Sequence, residues 1–274
     1  MDRARRHPLV IFALLVIGLI AMAAIGADWI MPFDPQEMDF DNLLAGASPA
    51  HPFGTDQMGR DTVSRLILGS QVALQVSLGA VTLGLLIGVP LGLIAVTMRG
   101  WVDDIIMRVM DAVVVFPSLL VAVALAAVMG NSLGTVIVAI GLANVPWLAR
   151  IARSQALAVR EMDFIAAATA GGAGPFTIMF RHILPNSLAP LIVQATLGMG
   201  YAVLTEAALG FIGVGVQPPT PTWGNMLQTA FPMLDRQPLL SVAPGLAIFL
   251  LVLAFNLLGD ALRDALDPRL RNLR

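Results

Sequence analysis

Twenty-eight consecutive residues, Gln71 to Met98, carry no charged side chain, and this run limits the fold more than any other feature of the chain. About 20 apolar residues suffice for a helix to cross a ~30 Å hydrocarbon core, where only helices and closed barrels satisfy every backbone donor and acceptor. Similar runs occupy Leu9–Ala27, Ala112–Ala149, Asn186–Gly213 (with one acid, Glu206) and Leu239–Gly259. The second of these is too long for one helix, and Gly130-Asn131-Ser132 supplies the turn chemistry to split it. The third crossing is therefore expected from near Ile105, with Pro117 inside it as a tolerated kink, and the fourth follows to Ala149. Six helical crossings result.

Composition agrees and narrows the function classes. Only 12% of residues are charged and mean hydropathy is +0.82, against roughly 25% charged in soluble domains. No cysteine is present, so disulfides, thiolate metal sites and cysteine nucleophiles are excluded. His7, His51 and His182 lie outside the apolar runs, which argues against a histidine-based metal or catalytic centre in the membrane. All sixteen basic side chains are arginine. A Walker A loop requires lysine, so if ATP powers this chain, another polypeptide hydrolyses it. A net charge of -2 gives no sign of a nucleic-acid partner.

Leu9–Ala27 follows Arg3, Arg5 and Arg6 and so resembles a secretory signal; being long enough to span, it is read as a retained first helix. Residues 32–70 turn polar and form a loop outside the membrane, whose distal part, Thr62–Leu74, has the spacing of an interfacial helix feeding the second crossing. The organisation expected is residues 1–70 as first helix plus extracytoplasmic loop, 71–260 as membrane core with a polar inner segment at 151–185, and 261–274 as a tail. Thirteen of the sixteen arginines then fall on the side of both termini and three (Arg60, Arg65, Arg236) on the other. Basic residues accumulate in cytoplasmic loops, so both termini are expected in the cytoplasm. Asp103 and Asp104 are expected to pair with Arg108 at the start of the third crossing.

The inner segment holds contact chemistry. Glu161 and Asp163 place negative charge where a helix dipole favours it, at the start of the alanine-rich stretch Phe164–Ala170, and Gly171-Gly172 ends that helix. Pro175 can start a second one, Phe176–Ile183, which Leu184-Pro185 is expected to close. Such a hairpin either packs Phe164, Phe176, Met179 and Phe180 on its own membrane domain or presents a knob to a partner's groove. In the second case Ala166, Ala167 and Ala168 allow close approach, and Arg160, Arg181 and His182 orient the partner.

Ala166-Ala167-Ala168, Gly172 and Leu184-Pro185 resemble the EAA loop of ABC importer permeases, with Ala166 replacing that loop's glutamate and His182 its isoleucine. His51–Asp61 (HPFGTDQMGRD), Arg108–Pro117 (RVMDAVVVFP), Phe180–Ser187 (FRHILPNS), Glu206–Pro219 (EAALGFIGVGVQPP) and Phe255–Asp264 (FNLLGDALRD) are similar to the second permease subunit of dipeptide and oligopeptide ABC importers, the DppC/OppC type. The resemblance implies an all-α fold with six transmembrane helices, that of a type I ABC importer permease, in a bacterial inner or cell membrane. It further implies a heterodimer with a homologous permease, two cytoplasmic ATP-binding subunits that hold ATP and Mg, and an extracytoplasmic peptide-binding protein. No cofactor, metal or catalytic residue is expected in this chain. Phe164, Ala166–Ala168, Gly171, Gly172, Phe176, Arg181, His182, Leu184 and Pro185 would be the coupling surface. Nickel and glutathione importers share much of the pattern and stand as alternative substrates.

Glu206 must be paired, protonated or near water, because an unpaired charge in the membrane costs at least ~2.5 kcal/mol. It either faces the translocation pathway or makes a packing hydrogen bond. Gln194, Thr196, Met199, Tyr201 and Thr205 could line a peptide path, or equally join helices, and Trp223 could sit at its mouth. The outer motif Gly54–Asp61 could dock a binding protein or cap the bundle. An ion-coupled secondary transporter would call for more intramembrane carboxylates and inverted repeats; one acid and no visible repeat weigh against it. An intramembrane hydrolase needs a base beside a nucleophile, and no histidine lies in a span.

Overall fold

The computed structural model describes residues 8–266, and among them it is helical, with a single isolated bridge between Thr55 and Asp61. The helices are α1 (Pro8–Ile25), α2 (Ala27–Ile30), α3 (Thr62–Met98), α4 (Trp101–Val115), α5 (Ser118–Met129), α6 (Leu133–Arg160), α7 (Asp163–Ala170), α8 (Pro175–Ile178), α9 (Leu184–Ile212), α10 (Trp223–Ala230) and α11 (Pro238–Leu266). Among the described residues, five helical stretches are long and apolar enough to cross a membrane: α1, α3, α6, α11 and the run Pro175–Ile212 that joins α8 to α9. Arg3, Arg5, Arg6, Arg269, Arg271 and Arg274, which entered the arginine count, lie outside the described residues.

The expected third crossing is not one helix. α4 and the helix after it meet at an angle of 88°, so the pair makes a sixth span only if the bent unit is counted as one. Pro117 is the cause: the residue before a proline is pushed out of helical geometry, and Phe116 is extended at φ -82°, ψ 125°. Pro90, Pro146, Pro190 and Pro244 all remain inside continuous helices.

A second correction concerns α3. Thr62–Leu74 is no separate interfacial helix but the first turns of the same 37-residue helix as Gln71–Met98, about 55 Å long at 1.5 Å per residue. Asp61 caps it by accepting from Ser64 N at 2.7 Å. Its first turns are sheathed by the chain's own loop, since Arg65 is buried and donates to the Pro35 carbonyl at 3.0 Å.

α3 and α6 form the spine. Gly84, Gly88 and Gly92 repeat every four residues on α3, so they share one face, and that face meets Val145, Leu148 and Ala149 of α6. A Cβ at Gly92 would come 2.3 Å from the Ala149 carbonyl oxygen and one at Gly88 2.8 Å from that of Val145. Small residues at such spacing let membrane helices approach backbone to backbone.

The bundle has two distinct ends. At the loop end, Gln57 Nε2 donates to the Thr229 carbonyl at 2.8 Å and Gln237 Nε2 to that of Leu44 at 3.0 Å, tying residues 31–61 to α10 and to the residue preceding α11. At the opposite, hairpin end, Leu93 and Val96 of α3, Ala156 and Val159 of α6, and Ile165, Met179 and Ile183 of the hairpin form one buried cluster.

Candidate functional site: the helical hairpin and its supports

α7 starts at Asp163 and ends as its glycines require. Gly172 has φ +84°, a conformation that costs a non-glycine residue about 1 kcal/mol or more. Its N–H donates to Thr169 O at 3.0 Å and that of Ala173 to Ala168 O at 3.1 Å, the paired bonds of a Schellman cap. Gly174 then leads into Pro175 at the first position of α8.

Leu184-Pro185 does not close the second helix. The chain passes from α8 through a π-turn, Met179–Ile183, straight into α9, with Leu184 N–H donating to the Met179 carbonyl five residues back. A proline clashes with the carbonyl four residues before it; widening the turn to five-residue bonds relieves the conflict. The hairpin is consequently the direct extension of a membrane-crossing helix, and any displacement of α8 bears on α9.

The hairpin anchors itself through few side chains. Ile165, Met179 and Ile183 are buried, while Phe164, Phe176 and Phe180 are 40%, 58% and 60% exposed. Of the four residues expected to pack if the hairpin served only its own domain, Met179 alone does so. Ala166, Ala167, Gly171, Gly172, Arg181 and Pro185 are exposed and Ala168, His182 and Leu184 half-buried. The His182 ring lies 6.3 Å from that of Phe164. Arg160 is not displayed with Arg181 and His182: its guanidinium donates inward to the Val96 carbonyl.

Asp103 does not pair with Arg108. Its two carboxylate oxygens accept from Nε and a terminal nitrogen of Arg153 on α6, each at 2.7 Å, and Asp111 accepts from Arg150 at 2.7 Å. Fifty residues separate Asp103 from Arg153, so no local spacing announces the pair. The Gly84-Gly88-Gly92 repeat, by contrast, is visible in the sequence as glycine at every fourth position.

The residues offered for a pathway separate into two groups. Tyr201 is exposed on α9, Thr205, Gln194 and Met199 are half-buried and Thr196 is buried; Gln194 Oε1 accepts from Trp147 Nε1 at 3.2 Å. Glu206 is 1% exposed, with Oε1 unpaired among the described residues. It sits under α10, where Gly224 packs against Ala207 and Gly210. Trp223 is likewise enclosed, donating its indole N–H to Leu66 O at 3.0 Å.

The outer motif builds a compact polar core. Asp56 accepts from Arg60 Nε at 2.7 Å and faces Arg65 Nε at 3.5 Å. Asp61 joins His51 Nδ1 at 2.9 Å and the Ser64 hydroxyl at 2.8 Å. These contacts cap the loop end of the bundle.

The described residues thus form an all-helical bundle with several candidate membrane spans and a glycine-jointed hairpin continuous with one of them. Residues 81–272 match the family model described as binding-protein-dependent transport system inner membrane component, and residues 1–49 match the N-terminal TM domain of oligopeptide transport permease C. The chain belongs to this family and is a multi-pass ABC importer permease. It is 43% identical over 269 residues to the glutathione transport system permease protein GsiD of Pectobacterium atrosepticum, covering 98% of this chain and 89% of that one. It is 44% identical over 268 residues to the dipeptide transport system permease protein DppC of Alkalihalophilus pseudofirmus, covering 98% and 88%. Among solved structures, an inward-facing conformation of the MetNI methionine ABC transporter superposes with a TM-score of 0.63 at 20% identity, over 75% of this chain and 97% of that one, which establishes the shared fold.

Proposed function

We propose that this chain is one half of the membrane passage of an ATP-driven importer of short peptides, working beside a homologous permease and above two ATP-binding subunits that carry the nucleotide and Mg. The observation that carries the reading is the exposed aromatic surface of the hairpin, Phe164, Phe176 and Phe180, on a unit rigidly continuous with α9. A contiguous apolar patch left uncovered marks an interaction site, and a short helix inserting into a partner's groove is a recurrent mode. In this reading the hairpin lies in the cytoplasm with both termini, and the loop end meets an extracytoplasmic peptide-binding protein. Nucleotide-driven closure of the ATPases rocks the permeases between two states, a rigid-body transition whose equilibrium the nucleotide biases. Hydrolysis belongs to the partners, and this chain needs no cofactor of its own. Substrate is a dipeptide or oligopeptide; similarity to GsiD and to DppC at nearly equal identity supports glutathione, itself a tripeptide, as a second reading.

Purifying the tagged chain from its native membrane and identifying its companions tests the assembly: two ATP-binding subunits and a second permease are expected. Introducing Gly172→Glu should leave membrane insertion intact and uncouple ATP hydrolysis from uptake. Full uptake in that variant refutes the coupling assignment.

A further inference from the structure

α4 is held to the rest of the chain by two kinds of contact. Its apolar side, Ile106, Met107 and Met110, packs against Ile87 and Leu91 of α3 and Val145 and Ala149 of α6. Its polar positions reach α6 through Asp103–Arg153 and Asp111–Arg150. The two ion pairs are not equivalent. Asp111 and Arg150 are 59% and 40% exposed, and a solvent-exposed single contact of that kind contributes little. Asp103 and Arg153 are 18% and 34% exposed and meet in a two-bond fork, a geometry that fixes direction as well as distance. Asp104 adds to the negative field at the same arginine.

The position of Arg153 on α6 gives the fork its meaning. Two turns further along, Arg160 ends α6 and holds α3 through the Val96 carbonyl, and α7 begins at Asp163. Ala156 and Val159, between these arginines, sit in the same buried cluster as Ile165, Met179 and Ile183 of the hairpin. One short length of α6 thus fastens α3, α4 and the hairpin together. Beyond Val115 the helix breaks, and the next helix packs elsewhere: Leu119, Ala122 and Leu125 join Val72, Val76, Val136 and Leu209 in a separate cluster.

We propose that Asp103–Arg153 is a permanent strut: it stays closed through the whole transport cycle, makes α4 travel with α6 and the hairpin, and delivers their displacement to the break at Phe116-Pro117. The source of the displacement rests on the hairpin reading given above; the permanence of the pair does not. The opposite device, a pair that opens in one state and closes in the other, makes the contrary forecast in the same experiment.

The chain contains no cysteine, so Asp103→Cys/Arg153→Cys places a unique thiol pair on it. In the complete transporter reconstituted in liposomes, this double variant should take up at least about 5-fold less peptide per ATP hydrolysed, the lower range of ordinary coupling between sites. Bridging the two thiols with a short cross-linker should restore the ratio. Asp103→Arg should lose coupling to a similar extent, and Asp103→Arg/Arg153→Asp should recover it; where the single reversal fails to assemble, Asp103→Asn replaces it. Cross-linking that arrests uptake, a charge swap that assembles without regaining coupling, or an assembled reversal that couples normally each overturns the strut. Wild-type uptake in Gly172→Glu alongside restoration by the cross-linker would refute the hairpin assignment and leave the strut standing.

Discussion

The indole N–H of Trp223 donates to the Leu66 carbonyl at 3.0 Å, and the same ring covers Gly69 so closely that a Cβ there would lie 2.7 Å from it. The start of α10 is thereby fixed on α3 across 157 residues of sequence. Replacing Gly69 with valine should drive the ring out of place and cost about 1–3 kcal/mol, the usual penalty of overpacking. A thermal melt of the detergent-solubilised chain followed by tryptophan fluorescence measures the loss. Trp223→Phe keeps most of the packing and should cost about 1 kcal/mol for the hydrogen bond alone.

The spine between α3 and α6 makes a sharper demand. At Gly92 the offending neighbour is backbone, the Ala149 carbonyl at 2.3 Å, which cannot rotate away. Gly92→Val should push the two helices apart and reduce the yield of folded protein severely. Gly18→Val on α1, where nothing lies within 4 Å, is the matched control and should behave as wild type in the same membrane-extraction assay.

The hairpin aromatics should divide stability from assembly. Phe176 and Phe180 are exposed, so truncating either to alanine should change the melting of the isolated chain by no more than about 0.5 kcal/mol. Each should weaken capture of the ATP-binding subunits by about 2 kcal/mol if it fills a pocket as an anchor. Ile183→Ala reverses the pattern, because Ile183 belongs to the internal cluster: about 2–5 kcal/mol of stability should be lost. Titrating labelled ATPase onto each variant in nanodiscs, beside a thermal melt, reads both quantities.

Glu206 offers a test of enclosure against pathway. Glu206→Gln preserves the shape of this buried side chain and should stay within about 1.5 kcal/mol of wild type. Glu206→Ala opens a void under α10 and should cost about 2 kcal/mol or more. Uptake assays complete the comparison: wild-type uptake by a stably assembled alanine variant removes this carboxyl from the pathway.

Asp61 accepts from Ser64 N and the Ser64 hydroxyl and meets His51, so it caps α3 and organises the loop at once. Asp61→Ala should cost about 2 kcal/mol, the upper range for loss of a helix cap, and should expose the 31–61 loop to limited proteolysis. Ser64→Ala removes only one of those bonds and should have a smaller effect.

What could be read along the chain was whatever depends on neighbours in sequence. Hydrocarbon thickness converts directly into residue count, so the apolar runs located α1, the body of α3, α6, α9 and α11. Gly171-Gly172 and Pro175 marked the joint of the hairpin because cap and first-turn conformations are local requirements. Some readings went astray where packing overruled a local preference, and one, at Pro117, where the local restriction on Phe116 prevailed over helix continuation. Pro185 ends helices in water, yet a π-turn carried α8 into α9; Pro117, expected to be absorbed as a kink, separated α4 from α5. Thr62–Leu74 has the pattern of a surface helix, but the loop it meets buries Arg65. The partner of Asp103, the enclosure of Glu206 and Trp223 under α10, and the outward face of Phe164, Phe176 and Phe180 depend on helices brought together from distant parts of the chain. Such contacts follow from the angles and depths at which the helices cross, which are set jointly by every interface in the bundle.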